Sequence, residues 1–442
     1  MQTKDNKKKV SRREFFQGLA AGAAAAGVAG LTRESGAKAE ETVWVCNPSG
    51  VRREGSFVDE LLRRTMDEQK IAKPRLAGRF PRVKVEKIEA SDPFTAVNSL
   101  FYERGWTDGL PLILPTEDRV KAMLGGTELA PEEVVAVLDP MKGQATVGKI
   151  AANAVMAGCR PEYMPVLIAA VQAIADPSFN LLGVATTTNP DTPMILVNGP
   201  IARQLEINSG TNALGRGWQA NATIGRALHL IINNIGGSWP AVTDMSCLGH
   251  PGEFAMCLAE NEEKNPWGPL HVELGYRPEA NVVTVVAAEG MHSILGSGWD
   301  DEGYLSLVAD HLAALDRSYR PVVLLLIAQD TAAMLKNRGW SKEKIREFIY
   351  ANGRIPFGRY KKRFIDTQKV QGVPDWVLKT TDPQVMIPVP FMDHFLIVVS
   401  GGPGEKSMLI PVWSASQKVV SKEVQLPGNW EELLEESRRS RA

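Results

Sequence analysis

Four cysteines in 442 residues are too few for a disulfide-stapled scaffold. They also supply none of the usual cofactor signatures. There is no Cys-x-x-Cys pair, no Cys-x-x-Cys-His haem attachment and no iron–sulfur run. The Gly-x-Ser-x-Gly elbow, the His-Glu-x-x-His zinc helix, the Walker loop and the dinucleotide glycine fingerprint are missing too. Beyond the first 39 residues no eighteen consecutive residues are apolar, so the remainder has no candidate spanning helix. A strong charge of either sign is lacking: the formal net charge is −1. Without residues 1–39, 42 basic and 48 acidic side chains leave a formal charge of −6, which argues against generic nucleic-acid binding. No repeat of solenoid period is visible.

What is present is globular composition, 44% hydrophobic and 23% charged, with length for two or three domains or one large domain and a small companion. Residues 1–39 read as a targeting segment. Lys4, Lys7, Lys8 and Lys9 make a basic start. Ser11-Arg12-Arg13-Glu14-Phe15-Phe16 is similar to the twin-arginine export signature, and an Ala/Gly-rich apolar run follows. Ala37-Lys38-Ala39 fits the small-x-small cleavage rule, so the mature chain is expected to begin near Glu40, in the periplasm. The alternatives are a cytoplasmic leader or an uncleaved anchor. Export by that route carries proteins already folded, which suits a cofactor or partner acquired beforehand. Which cofactor is unknown from the sequence; a metal held by Cys and His is one option.

Along the mature chain, residues 40–95 read as an N-terminal arm, with a helix at 56–68 and a basic, Pro-containing linker at 72–85. Pro93 after Ser91-Asp92 opens a helix to about residue 104. Residues 112–114 are expected as a short strand, 131–137 as helix-like or a helix turning into a strand, and 146–156 and 162–175 as helices. Strands are expected at 180–187 and 194–197, and a polar, Gly-rich loop at 208–218 runs into a helix at 219–233. The later half alternates buried strands (281–288, 321–328, 395–399, 407–413) with helices (300–315, 329–336, 341–350, 431–441). This gives an α/β fold with mixed, partly parallel sheet layers, helices and a wrapping arm. The expected division is 96–280 and 281–442, packed as one unit.

Residues 233–277 gather the most chemistry: Cys247, Cys257, His250, His271 and five glutamates in a stretch without sustained periodicity. Cys247, His250 and Cys257 form a candidate metal set, weighed against a nucleophilic thiol, a disulfide and plain packing. Glu260, within Glu260-Asn261-Glu262-Glu263, becomes a base if buried beside His271 or His250, and a solvated helix end otherwise. His292 follows a buried strand and suits proton transfer; a capping or core histidine is the alternative. In open α/β sheets ligands bind beyond strand carboxyl ends. That rule selects loops 289–293, 329–331 and 400–404, where Ser400-Gly401-Gly402-Pro403-Gly404 exposes backbone. Asn198, Asn208, Ser209, Asn212 and Trp267 are candidate substrate contacts.

Three blocks carry a resemblance. They are Phe101-Tyr-Glu-Arg-Gly-Trp-Thr-Asp-Gly-Leu-Pro111; Ala157-Gly-Cys-Arg-Pro-Glu-Tyr-Met-Pro165 with Val197-Asn-Gly-Pro200 and Asn208-Ser-Gly210; and Cys257-Leu-Ala-Glu-Asn-Glu-Glu263 with Pro266-Trp267 and His271. Over about residues 95–415 the chain resembles a bacterial family associated with a small UGSC-type (seleno)protein domain. Asn47-Pro48-Ser49-Gly50 looks like the opening of that domain, but its Cys/Sec-Gly-Ser-Cys motif is absent. The resemblance implies no particular reaction. The leading expectation is an exported enzyme acting on a small molecule, oxidoreductase or lyase-like, with Cys257, His292, Glu260 and His271 as catalytic candidates. The alternative is an extracytoplasmic binding or assembly protein exported with a partner. A homo-oligomer or a redox partner fits either.

Overall fold

The computed structural model describes residues 41–49, 85–296, 300–315, 322–367, 373–388, 395–413 and 419–439. The expected signal segment, the helix at 56–68 and the linker up to residue 84 lie outside the described residues.

In the arm, β1 (Glu41–Cys46) pairs antiparallel with β2 (Val85–Ala90). Asp92 then caps α1 (Pro93–Glu103) by accepting the Thr95 N–H at 3.2 Å, and Pro93 fills a first-turn position that needs no donor. The expected strand at 112–114 does not join a sheet. The Leu112 N–H goes to Asn98 Oδ1 at 2.7 Å and the Ile113 N–H to the Met156 carbonyl at 3.2 Å, so a side chain and a helix end take the place of a ladder. α2 (Glu117–Leu124) follows. Next comes a hairpin of β3 (Val134–Leu138) and β4 (Gly143–Thr146), where the helix-like alternative had been expected; the Val-Val-Ala-Val run suits a pleated surface better than a helix.

α3 (Val147–Ala157) ends at Gly158, whose φ of 88° needs a residue without Cβ. α4 (Met164–Ile174) is buried nearly all round. Residues 180–187 are not a strand: Asn180 accepts the Gly183 N–H and starts one helical turn, Leu181–Val184. β5 (Thr192–Asn198) is buried throughout. α5 (Gln219–Ile231) runs into a π turn at Ile232–Gly236. The rest of the order is β6 (Cys257–Ala259), β7 (Val282–Ala288), β8 (His292–Leu295), α6 (Asp301–Ala314), β9 (Val323–Ile327), α7 (Gln329–Asn337), α8 (Lys342–Asn352), β10 (Arg354–Pro356), β11 (Met386–Pro388), β12 (Phe395–Val399), β13 (Lys406–Pro411), β14 (Val420–Glu423) and α9 (Trp430–Arg439).

Two four-stranded mixed sheets organise these elements, in the orders β14-β7-β5-β6 and β12-β9-β13-β8. The two sheets share one plan. A central strand (β5 or β9) is parallel to one neighbour (β6 or β12) and antiparallel to the other (β7 or β13), which pairs antiparallel with a fourth. The fourth strands are exchanged. β7 leaves its sheet to become β8 of the other, and β13 leads on to β14 of the first. At the crossing the Glu289 N–H meets the Pro411 carbonyl at 2.9 Å and the Trp413 N–H meets the Ala287 carbonyl at 2.8 Å. The duplication is therefore topological, not a period in residue types.

Strand alternation gives the second sheet two different faces. Leu325, Ile327, Ile397, Val399 and Leu409 pack under α6, α7 and α8. Leu324, Leu326, Val398 and Ile410 join the large core of the first sheet, which α3, α4 and α5 also build. Burying apolar area of this extent is the main stabilising term. Among the described residues no helix is long and apolar enough to cross a membrane.

Candidate functional site

The parallel pairs β5/β6 and β9/β12 bring their carboxyl ends together. The Asn261 N–H, just past β6, donates to the Val399 carbonyl at the end of β12 at 2.7 Å. Two features gather there: a buried polar knot and an open cavity.

The knot is centred on Glu260, which is only 3% exposed. Its carboxylate accepts from Asn198 Nδ2, Asn265 Nδ2 and the Leu270 N–H, each at 2.7 Å. Asn198 also donates to Glu262 Oε1 at 3.0 Å, and that oxygen takes the Gly199 N–H at 2.7 Å. Glu262 Oε1 lies 3.8 Å from His271 Nδ1, while the other ring nitrogen meets the Pro278 carbonyl at 3.2 Å. Lys342, buried, holds the Gly268 carbonyl and Glu273 at 3.1 and 2.9 Å. Burial pushes the Glu260 carboxyl above the usual range, opposed by Lys342, the Leu270 N–H and the Asn198 amide. Glu260, Asn198 and His271 are thus brought together as the sequence suggested. Every Glu260 bond, however, ties the 260–271 loop to the strand ends and none points to an approaching molecule. Trp267 belongs to the same loop, its indole N–H donating to the Trp340 carbonyl at 2.8 Å.

The cavity, about 470 Å³, lies on the face of the second sheet opposite α6–α8. Its floor is read from the register. Met408 pairs with Leu326 on one side and Ser293 on the other, so these three side chains form one row. One step nearer the strand end, Lys406 stands opposite Leu295 and accepts the Ala328 N–H on its carbonyl at 3.0 Å. Loops 211–215 and 400–404 form the walls, Leu258 closes the back, and Met291 lies beside Ser293. The loops are pinned: Gly401 N–H donates to the Ser209 carbonyl at 2.8 Å, and the single Ser400 hydroxyl proton lies between the Ser209 and Ala259 carbonyls, 3.2 and 3.1 Å from Oγ. Gly402 must be glycine, because a Cβ there would sit 2.0 Å from Thr211 Oγ1.

Asn212 lines this cavity. Asn208 shapes the wall instead, its Oδ1 accepting the Gly210 N–H at 2.8 Å and its Nδ2 reaching the Thr211 carbonyl, while Ser209 offers its carbonyl to the 400–404 loop. His292 is a correction. It follows β7 but opens β8, and alternation places its exposed side chain on the sheet face of Ile294, while Ser293 takes the cavity face.

The metal set is a second correction. Among the described residues no three His, Cys, Asp or Glu side chains are placed to hold an ion. Cys247 is exposed on a loop bonded to Thr188, and His250 Nδ1 accepts the Gly252 N–H at 3.0 Å as a helix cap. Cys257 is 3% exposed at the start of β6, and burial pushes its thiol far above the ordinary range, so it is poorly suited to act as a nucleophile.

Sequence reasoning missed Lys406, Met408 and Leu326, and reached Ser293 only as part of loop 289–293. The signal was there: alternation from a Gly-rich loop puts Lys406, Met408 and Ile410 on one strand face. The Phe101–Pro111 block proves to be scaffold. Trp106 is 1% exposed and edge-on to Phe101, and Asp108 takes a two-pronged bond from Arg226 of α5 at 2.6 and 2.9 Å. No protein-family model matches the chain, and no curated protein matches it.

Proposed function

We propose that this chain is an exported protein that binds a small, largely apolar molecule in the cavity above Leu326, Met408 and Ser293. The observation that carries this reading is the cavity itself. It is of ligand size, walled by apolar side chains and glycine backbone, and sits at the strand carboxyl ends where open sheets take ligands. Export rests on the twin-arginine-like leader. The described lining contains no His, Cys, Asp or Glu, and Lys406 is its one ionisable side chain. That favours binding over the oxidoreductase or lyase reading, whose candidates Cys257, Glu260, His271 and His292 all lie off the cavity. The test is a titration of the mature protein with a neutral apolar fluorophore, N-phenyl-1-naphthylamine. Binding with one site, abolished in Met408→Trp with the fold kept, supports the proposal. Equal binding by the variant rejects it.

A further inference from the structure

We infer that the small unit built on β10 and β11 docks on an anionic lipid surface, with Arg359, Lys362 and Arg363 on phosphate headgroups and exposed apolar side chains beside them at the headgroup boundary. None of these three residues lines the cavity, and ligand binding there does not depend on them.

The unit has its own core. Ile355 and Ile387, paired across β10 and β11, pack with Phe357, Tyr360, Phe364 and Val377. A helical turn, Phe357–Tyr360, continues as a π turn, Lys361–Ile365. Phe357, Tyr360 and Phe364 are buried at helical spacing, so Arg359, Lys362 and Arg363 stand together on the other side. Arg359 and Lys362 are exposed, and Arg363 is half-buried. The described carboxylates of the unit are engaged elsewhere. Asp366 meets Lys361 at 2.6 Å, Asp375 lies 4.0 Å from Lys379, and Asp382 accepts the Gln384 N–H at 2.9 Å. The side chains of Arg359, Lys362 and Arg363 make no hydrogen bond or ion pair to any described residue. Three uncompensated cations thus sit together on a chain whose formal charge without residues 1–39 is −6. Apolar side chains lie beside them. The Phe357 N–H donates to the Val385 carbonyl at 2.7 Å and the Gly358 N–H to the Pro383 carbonyl at 2.9 Å, which lays residues 383–386 along the start of the helical turn. Val385 and Met386 are exposed there, and Trp376 and Leu378, also exposed, flank the buried Val377. Cations next to exposed apolar side chains match a bilayer surface, where phosphate lies directly above hydrocarbon. A tryptophan ring suits the headgroup level. A free phosphate would engage the cations and leave the apolar side chains in water.

The experiment is co-sedimentation of the mature protein with vesicles of phosphatidylcholine alone, and of phosphatidylcholine with about one third phosphatidylglycerol. The expected result is binding to the mixed vesicles only, weakened by added salt. Each cation near such a surface contributes about fivefold, so Arg359→Gln, Lys362→Gln and Arg363→Gln together should lower the partition coefficient about a hundredfold. Arg359→Gln with Lys362→Gln, both at exposed positions, should lower it about thirtyfold and keeps the test open if Arg363 is needed for folding. Both variants should keep the parent's melting temperature and, without vesicles, its affinity for N-phenyl-1-naphthylamine. Binding to both kinds of vesicle alike, to neither, or undiminished in the two-residue variant overturns the inference. Saturable binding of inorganic phosphate, lost in that variant while vesicles are ignored, overturns it in favour of a soluble anion. A dimer abolished by the same variant, again without vesicle binding, overturns it in favour of a second copy.

Discussion

Replacing Glu260 with Ala removes the acceptor at the centre of the knot, and the cost follows from counting what each donor retains. Asn198 Nδ2 keeps Glu262 at 3.0 Å, and Asn265 Nδ2 keeps the Gly268 carbonyl at 2.7 Å. The Leu270 N–H keeps nothing else. Lys342 keeps Glu273. One donor is orphaned in the interior, at about 1–3 kcal/mol, and two further bonds are lost at about 1 kcal/mol each. The sum is about 3–5 kcal/mol. Gln at the same position keeps one acceptor oxygen and turns an NH₂ toward a donor, for about half that loss. Urea unfolding followed by tryptophan fluorescence measures both. The pH dependence adds a sign. Burial raises the folded-state value, so the folded protein holds the Glu260 proton more tightly than the unfolded chain does. Stability from this group is present below the ordinary carboxyl value and is lost as pH rises through the raised one. Glu260→Gln should flatten that loss. A Glu260→Ala variant within about 1 kcal/mol of the parent would show that water or rearranged neighbours satisfy these donors, and would refute the reasoning.

Three further outcomes are expected. Burial, first, and then His250 lower His229 to about 4, so its contribution is full above its ordinary value of 6.5 and is lost as pH falls toward 4. That amounts to about 3 kcal/mol at full burial and less here, because the residue keeps some solvent contact; His229→Gln should reduce the acid-side slope of a stability–pH profile. Native labelling with a thiol reagent should modify Cys247 first, while Cys257 and Cys159, whose thiol burial raises to about 12, react on unfolding; fast labelling that survives Cys247→Ser would contradict this. Gly402→Val should separate the two cavity loops, costing about 1–3 kcal/mol and most of the fluorophore affinity; a variant that binds like the parent would show that the wall tolerates displacement.

Local physics made much of this fold readable. The helix opened by Asp92-Pro93, the buried strands β7, β9 and β12, and helices α6 to α8 follow from caps, period and β-branched runs. Sheet order did not follow, because the exchange of β8 and β14 is set by contacts far apart in the chain. The same limit governed the site. The sequence placed Glu260, Asn198 and His271 in one region, and the strand-end rule selected loops 289–293 and 400–404, which contribute Met291, Ser293 and Ser400–Gly404 to the cavity. It misjudged His292 because strand alternation can be assigned to a face only when the register to β13 is known. It overvalued Cys257, since a buried and an active thiol look alike until their surroundings are placed.

The most direct test of the account is a methyl spectrum of the protein labelled with ¹³C at its methionine methyls, titrated with N-phenyl-1-naphthylamine. Met291 and Met408 line the cavity, whereas Met123, Met156 and Met164 are buried elsewhere. The account predicts saturable shifts at Met291 and Met408, assigned by single substitution, with those three unmoved. Saturable shifts confined to other methionines, with Met291 and Met408 still, would contradict it.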